Sequence, residues 1–446
     1  MENSITAIIT MYNQKELLEI CLQWLEQVNG IANIILIDTG SDDGTSEILS
    51  KMHYDYILLG KQELGYGEIW NTALNQFPTG DTVVFMNIRY MPGKNCLLNL
   101  AKAVQSDKNR IAGPVSNGFD ENQYAALNTT YDLLELERTS ENKTKITKVI
   151  GVHSGMWAIS KDALGKYGLF HNQLSEPSNV LMDYELTMIQ NDASIVVCKN
   201  AIAFDLQHTT PQLNILNHEN DREILKSRWG MNYFNRIPNF HLTRLINEAP
   251  SAEFHVLEIG CDLGATLLEI KSQYPNCHIH GLEINTAAVN IARHLTDIKE
   301  GNIEDECVPF QEKFSYIIFG DVLEHLHNPQ KVLHFCKKQL LTEHGYILTS
   351  IPNIMHISVM EQLLNGRFTY QDTGLLDKTH IHFFTYYEIL LMFQEEGYNI
   401  TSIDGIKMPL SKEQECLKAK LLELSTNVEP FMYETFQYII KAQKGN

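Results

Sequence analysis

No stretch of the chain reaches the roughly 18 consecutive apolar residues that a membrane-spanning helix needs, and the opening MENSITAIIT carries no basic segment of the signal-peptide kind. The expectation is a cytoplasmic protein with no membrane span. An excess of positive charge is missing too. The net charge is −20, with 15 basic against 25 acidic residues up to Thr210 and 20 against 30 after it, so neither half has a basic tail or patch. That disfavours nucleic acid and anionic membranes as partners and leaves small molecules or glycans as the expected ligands. The eight cysteines (Cys21, Cys96, Cys198, Cys261, Cys277, Cys307, Cys336, Cys416) show neither C-x-x-C nor a Cys/His ligand spacing. Neither a disulfide framework nor a zinc site is indicated, and the thiols are expected in the core. There is no internal repeat. Nothing in the sequence speaks to oligomeric state.

What is present is an α/β pattern, twice. At 446 residues the chain exceeds one ordinary domain of about 100–200 residues, and its 44% hydrophobic and 20% charged residues are those of a globular protein. Short apolar runs (ITAIIT, IILID, TVVFM, RIAGPV) alternate with amphipathic stretches such as KELLEICLQWLEQ, as strands alternate with crossover helices. A second series begins at FHVLEIG. Between them lie a polar helical stretch, HENDREILKSRWGMNYFNRI, and the linker-like NEAPSAE. The expected division is a first domain over residues 1–230, a helical connection over 231–250 and a second domain over 251–446.

In the second series, Val256–Gly264 (VLEIGCDLG) follows an apolar strand and opens a helix. Gly260 and Gly264 let a ligand approach the backbone closely in front of the helix N-terminus. Glu283, at the end of the next strand, is placed to accept from the ribose hydroxyls of an adenosine ligand. This order describes a nucleoside site shared by nicotinamide enzymes and methyltransferases.

The later motifs separate the two. VLEIGCDLG with Glu258, GNIEDECVPF with Asn302, FGDVLEHLHNP with Asp321, and SIPNIMHISVMEQLLNGRFTYQDTGLLDKTHIHFFT together resemble class I S-adenosylmethionine-dependent methyltransferases, the last segment a subgroup found with bacterial glycan genes. The resemblance implies a Rossmann-like seven-stranded domain with S-adenosylmethionine as cofactor, held by Glu258, Gly260, Gly264, Glu283, Asn302 and Asp321. Methyl transfer to a hydroxyl calls for a base, and His325, His380 and His382 are the candidates because imidazole titrates near neutrality. Each can equally be a structural histidine.

The N-terminal series resembles family 2 glycosyltransferases of the GT-A fold. The matching segments are ITAIITMYN, NIILIDTGSDDGT, GYGEIWNTAL, GPVSN, DALGKYGLF and MDYEL. The resemblance implies a nucleotide-sugar donor and a glycan acceptor, with Thr10, Tyr12 and Asp38 at the nucleobase, Asp183 as the base of an inverting reaction and Glu185 beside it. Asp38 can instead cap the helix that follows it, and Asp183 can be an acid at a helix start.

One motif departs from the family. Where a D-x-D carboxylate would hold Mg or Mn on the diphosphate, the chain has Asn87, Ile88 and Arg89. Arg89 puts a fixed cation at that place, able to pair a phosphate in bidentate fashion. His208 in FDLQHTT falls where the family often has a histidine near the metal. Three readings follow: a bifunctional enzyme that adds a sugar and methylates a sugar hydroxyl of a bacterial surface or spore glycan; a methyltransferase whose altered front domain only binds glycan or nucleotide sugar; and a scaffold in which neither site turns over.

Overall fold

The computed structural model describes residues 4–60, 64–119, 123–125, 127, 132–133, 135–136, 146–206, 218–231 and 234–445. It divides into two compact units, Met1–Ile237 and Pro238–Asn446. His208 lies outside the described residues. No described helix is long and apolar enough to cross a membrane.

The first unit is built on one mixed sheet. Its parallel half comprises β1 (Ile5–Met11), β2 (Ile31–Asp38), β3 (Asp55–Leu58) and β4 (Thr82–Asn87), in the order β3-β2-β1-β4. Every residue of β1 is buried, because a central parallel strand is covered on both faces, which is why it reads as an unbroken apolar run. The helix Lys15–Leu25 turns Leu17, Leu18, Cys21, Leu22 and Leu25 inward, an apolar stripe at helical spacing.

Beyond β4 come β5 (Tyr90–Pro92), β6 (Arg110–Ser116), β7 (Ile146–Val149), β8 (Met156–Ser160) and β9 (Ser194–Asp205), which extend the sheet as β4-β8-β6-β9-β5 with β7 also on β9. Most of these neighbours are antiparallel. Against the sheet sits an aromatic core in which Phe85 and Trp157 stack at 4.5 Å, with Trp70 and Phe170 edge-on to Trp157.

The second unit has a seven-stranded sheet. Its strands are β10 (His255–Ile259), β11 (His278–Glu283), β12 (Asp297–Glu300), β13 (Phe314–Gly320), β14 (Leu341–Pro352), β15 (Tyr398–Lys407) and β16 (Thr435–Lys444), in the order β12-β11-β10-β13-β14-β16-β15. All pairs are parallel as far as β14; β16 runs antiparallel to both β14 and β15.

In each sheet the strand order reverses beside the first strand, between β1 and β4 and between β10 and β13. Two crossovers that leave in opposite directions open a crevice at the carboxyl ends of those strands, where α/β sheets bind ligands. Thr10 pairs in register with Asn87, and Met11 with Asp38, so three of the sequence candidates stand at that edge of the first sheet. The same edge of the second sheet carries Gly260, Glu283, Asn302 and Asp321.

One expectation about the core needs correction: Cys307 and Cys416 are exposed, and only the other six thiols are buried. Cys307 follows a short polar 3-10 turn and Cys416 sits on the helix Lys412–Leu424, which buries none of its residues.

Candidate functional sites

In the first unit, Thr10, Asn87 and Arg89 line one pocket of about 150 Å³ together with Tyr66, Trp70 and His153. Two glycines shape its approach. A Cβ on Gly65 would lie 2.4 Å from the Leu174 carbonyl oxygen, and one on Gly67 would lie 2.0 Å from that of His171, so the helix Tyr66–Gln76 can start there only without side chains at those positions. Asn71 on the same helix holds the facing loop: its Nδ2 donates to the Phe170 carbonyl at 2.8 Å and its Oδ1 accepts from the Phe170 N–H at 3.0 Å. Burial pushes the Tyr66 hydroxyl up to about 12, so it stays a neutral donor at the pocket wall.

Tyr12, Asp38, Asp183 and Glu185 are not among the residues lining that pocket. Asp38 is buried, and its own loop satisfies it. Oδ1 accepts from the Ser41 N–H at 2.9 Å and the Ser41 hydroxyl at 2.6 Å, and Oδ2 from the Ser46 hydroxyl.

The idea that Asp183 marks a helix start is corrected. It sits in the middle of the helix Pro177–Ile189, whose first turn holds no acid. Its carboxylate Oδ1 accepts from Arg228 Nε at 2.7 Å and Trp229 Nε1 at 2.8 Å, both on the polar helix His218–Trp229. Glu185 accepts from the Val152 N–H at 2.7 Å and from Arg236 at 2.8 Å. Burial raises its carboxyl to about 7, against the pull of Arg236. Since His153, Ser154 and Gly155 line the pocket, Glu185 bears on it by holding the loop before them.

Arg89 is not a free charge. Its Nε donates to Asp205 Oδ1 at 2.8 Å and its Nη2 to Oδ2, and its guanidinium lies 5.1 Å from the Tyr90 ring. Asp205 ends β9, facing Tyr90 across the β5–β9 ladder, and is 1% exposed. The fork that could grip a phosphate is therefore already engaged with a carboxylate. The sequence singled out neither Asp205, although it lies in FDLQHTT beside His208, nor the Arg228, Trp229 and Arg236 partners, because each pairing joins residues about 45 or more positions apart in the chain.

The second unit places its candidates around one strand-end crevice. Gly260 has φ +67° and a Cβ there would stand 2.7 Å from Val322 Cγ2; Gly264 has φ +84° and caps the helix Ala265–Gln273. Both conformations favour glycine. Glu283 bridges the crevice wall, accepting from the Asp262 N–H and the Asn285 N–H at 2.8 Å each. Asn302 caps the next turn by accepting from the Glu304 N–H at 3.0 Å.

Glu258 is buried, its Oε2 has no hydrogen-bond partner among the described residues, and burial pushes its carboxyl up to about 8, with Glu283 and Asp262 adding to the rise. Asp321 is raised to about 6 by burial, against hydrogen bonds from Ser350 and Gln437. The raised Glu258 gives a stability test. A carboxyl whose pKa is higher folded than unfolded stabilises fully below its unfolded value near 4.5, and that contribution is lost as pH rises through about 8. Thermal melts of the ligand-free protein between pH 5 and 8 should show a downward slope that Glu258→Gln makes shallower. An identical slope in the variant refutes the assignment.

The three candidate bases divide. His325 and His380 face each other, ring centroids 4.8 Å apart, and burial together with His325 lowers the His380 pKa. His382 stands apart, its Nε2 3.3 Å from the His327 carbonyl oxygen. Glu324, which the sequence did not single out, lies fully buried next to His325, and its backbone carbonyl accepts from the Ile381 and His382 N–H groups at 2.9 and 3.0 Å.

Two switch-point sheets, each with polar groups gathered at its carboxyl edge, define a pair of α/β ligand-binding domains of the kind that transferases use. Comparison with known families makes this specific. The family described as glycosyl transferase family 2 matches residues 6–168, and that described as methyltransferase domain matches residues 232–403. The N-terminal unit carries a family 2 glycosyltransferase domain and the C-terminal unit a methyltransferase domain.

Solved structures similar to parts of the chain include an S-adenosylmethionine-dependent methyltransferase from Archaeoglobus fulgidus, at 18% identity over 50% of this chain and 94% of that one with a TM-score of 0.31. Another is the plantazolicin methyltransferase BpumL, solved with a triazolic desmethylPZN analog and SAH, at 17% identity over 43% and 77% with a TM-score of 0.31. GalNAc-T7, solved with UDP, GalNAc and Mn2+, is 14% identical over 46% of this chain and 44% of its own, with a TM-score of 0.36. No curated protein matches the chain.

Proposed function

We propose that the protein is a bifunctional glycan-modifying enzyme of the bacterial cytoplasm. Its first unit adds a sugar from a nucleotide-sugar donor, and its second methylates a sugar hydroxyl of a surface polysaccharide with S-adenosylmethionine. The division of labour follows the boundary near residues 230–250.

The observation that carries the methyl-transfer half is the acidity of the glycine crevice. Glu258 and Glu283 stand beside the turn, and Glu258 Oε2 has no hydrogen-bond partner among the described residues. Glu283 would serve either kind of nucleoside, but Glu258, which burial holds uncharged in the free protein, would be drawn into its carboxylate form by a sulfonium or ammonium group and offers a pyrophosphate no such partner. Gly260 and Gly264 leave room for close approach, and on this reading Glu283 takes the ribose hydroxyls while Asn302, whose Oδ1 accepts from the Glu304 N–H, would offer its NH2 group to a base edge. The residues present therefore fit S-adenosylmethionine, which supplies an electrophilic methyl group when bound. Orientation is what the chain must add, and the His325–His380 pair is the place where the acceptor hydroxyl loses its proton.

His380→Ala is expected to lower methyl transfer by about 100-fold or more, in the range of a lost acid–base group, while leaving S-adenosylhomocysteine affinity within about twofold. Turnover with radiolabelled cofactor and isothermal titration measure the two arms. Unchanged turnover removes His380 from the mechanism, and failure of the parent protein to bind S-adenosylhomocysteine removes the cofactor.

A second reading has support from the Arg89–Asp205 pair. With no carboxylate at position 87 or 89 to hold Mg or Mn, the first unit is either metal-independent or a binding module for glycan or nucleotide sugar. The scaffold reading, in which neither site turns over, fails once S-adenosylmethionine is consumed.

A further inference from the structure

The crevice of the second unit has a neighbour that the cofactor residues do not use. Glu324 is 0% exposed, and neither of its carboxylate oxygens has a hydrogen-bond partner among the described residues. A carboxylate buried without partners is among the costliest groups a fold can hold, so a cation facing it is the natural complement. Two imidazoles lie close by: one ligand atom each from Glu324, His325 and His380 falls within 4.8 Å of the others.

The rings are also prepared. His325 Nδ1 lies 3.1 Å from the Thr379 carbonyl oxygen and His380 Nδ1 lies 3.3 Å from that of Leu375. Each carbonyl can only accept, so each Nδ1 carries the proton and each Nε2 presents a lone pair. Histidines that bind metals are oriented in this way, by donating the other ring N–H to a carbonyl or carboxylate.

We propose that Glu324, His325 and His380 form a binding site for a divalent first-row transition ion. Two imidazole nitrogens and one carboxylate oxygen suit zinc, iron(II) or cobalt(II) better than magnesium or calcium, which prefer all-oxygen shells. Bound at about 2.0–2.2 Å from each donor, the ion would draw the three ligand atoms to roughly 3.3 Å from one another. Side-chain rotation on the 3-10 turn Leu323–His325 and on the Thr379–His382 segment would have to supply that contraction. Three protein ligands leave coordination positions open, the arrangement of catalytic rather than structural metal sites.

An open position beside the cofactor crevice would take an oxygen of the acceptor. Asp321 directly follows β13, and Glu324 and His325 come three and four residues after it on the same strand-end loop, which puts the site at the crevice rim. With the ion bound, coordination would lower the pKa of a sugar hydroxyl, whose proton then passes to water; the hydroxyl would still lose its proton at the His325–His380 pair, with the imidazoles acting there as ligands. This role rests on the methyl-transfer reading above, whereas the metal site itself stands on its three side chains.

The test uses the full chain freed of metal with a chelator and titrated with Co2+, followed by the visible d–d absorption that nitrogen ligation produces, with Zn2+ competition and S-adenosylhomocysteine titration in parallel. One Co2+ per chain is expected, displaced by Zn2+. Glu324→Gln and His380→Ala should each weaken Co2+ binding by more than about 100-fold, with His382→Ala as the control that keeps it. Thermal melts report folding, and where Glu324→Gln does not fold, His380→Ala, on a partly exposed loop, decides the matter. No Co2+ spectrum in the parent, or an unchanged one in His380→Ala, overturns the site. Absence of S-adenosylhomocysteine binding alongside a normal Co2+ response overturns the methyl-transfer reading alone.

Discussion

Asp205→Ala is expected to lower the stability of the N-terminal unit by about 3–5 kcal/mol, the range for removing one partner of a buried ion pair. The loss comes from what is left behind. Asp205 is 1% exposed and takes two donors from Arg89, whose guanidinium lies 5.1 Å from the Tyr90 ring. Without the carboxylate a partly buried guanidinium has no counter-charge. For a unit of this size the change corresponds to a fall in melting temperature of about 10 °C, read by calorimetry on the full chain. Replacing both partners with apolar residues of similar volume should recover most of the loss, because it strands no charge. A melting temperature within 1–2 °C of the parent for Asp205→Ala would show the pair to be a surface ornament worth about 1 kcal/mol or less.

The same pair frames the question of sugar transfer. If Arg89 exchanges Asp205 for the donor diphosphate in place of a bound cation, donor hydrolysis proceeds equally with and without EDTA, and strong dependence on Mg or Mn sinks that idea. If no nucleotide sugar is turned over, the unit is a binding module. Either way the substitution of Arg89 for a metal carboxylate, visible in the sequence, is matched by a compensating acid on β9 that was not. Asp205 lies 116 residues further along the chain, and only the β5–β9 ladder brings the two together.

That contrast describes what the sequence could convey more generally. Strands buried on both faces, such as β1 and β10, are short apolar runs and are legible as such. β12 was not: DIKE is a four-residue edge strand with two exposed positions, so it carries neither alternation nor an apolar run. The glycine turn and Glu283 could be picked out because they fall within one strand-turn-helix-strand passage, β10 to β11, whereas Asn302, beyond β12, was singled out only by the family resemblance. Glu324 was passed over although it lies inside a recognised motif. A single acid between Leu323 and His325 reads as surface charge, and its full burial follows from the 379–384 segment folding across it. Asp183 shows the converse. Its acidic neighbourhood suggested a helix start, whereas the helix begins at Pro177, and the donors that fix Asp183 come from a helix some 45 residues away.

Gly260→Ala should cost the second unit its cofactor while leaving the domain folded. Gly260 has φ +67°, where an alanine pays about 1–2 kcal/mol in backbone strain, and its Cβ would stand 2.7 Å from Val322 Cγ2. Val322 is β-branched and stiff about χ1, so it has little freedom to withdraw, and overpacking of this kind costs about 1–3 kcal/mol. The cheapest relief is a flip of the turn, which removes the surface that the ligand approaches. S-adenosylhomocysteine affinity is therefore expected to fall by about 100-fold, measured by isothermal titration, with the circular dichroism spectrum retained. Gly264→Ala offers an internal comparison. Its φ of +84° carries the same kind of strain, but the atom it meets is Ile298 Cδ1 at 2.8 Å, the far end of a longer side chain that can swing aside. The Gly264 variant should bind more tightly than the Gly260 variant, because only the latter meets an obstacle that cannot move. Equal and parent-like affinities in both would mean that the ligand does not lie against this turn, and the nucleoside site would have to be sought elsewhere in the unit.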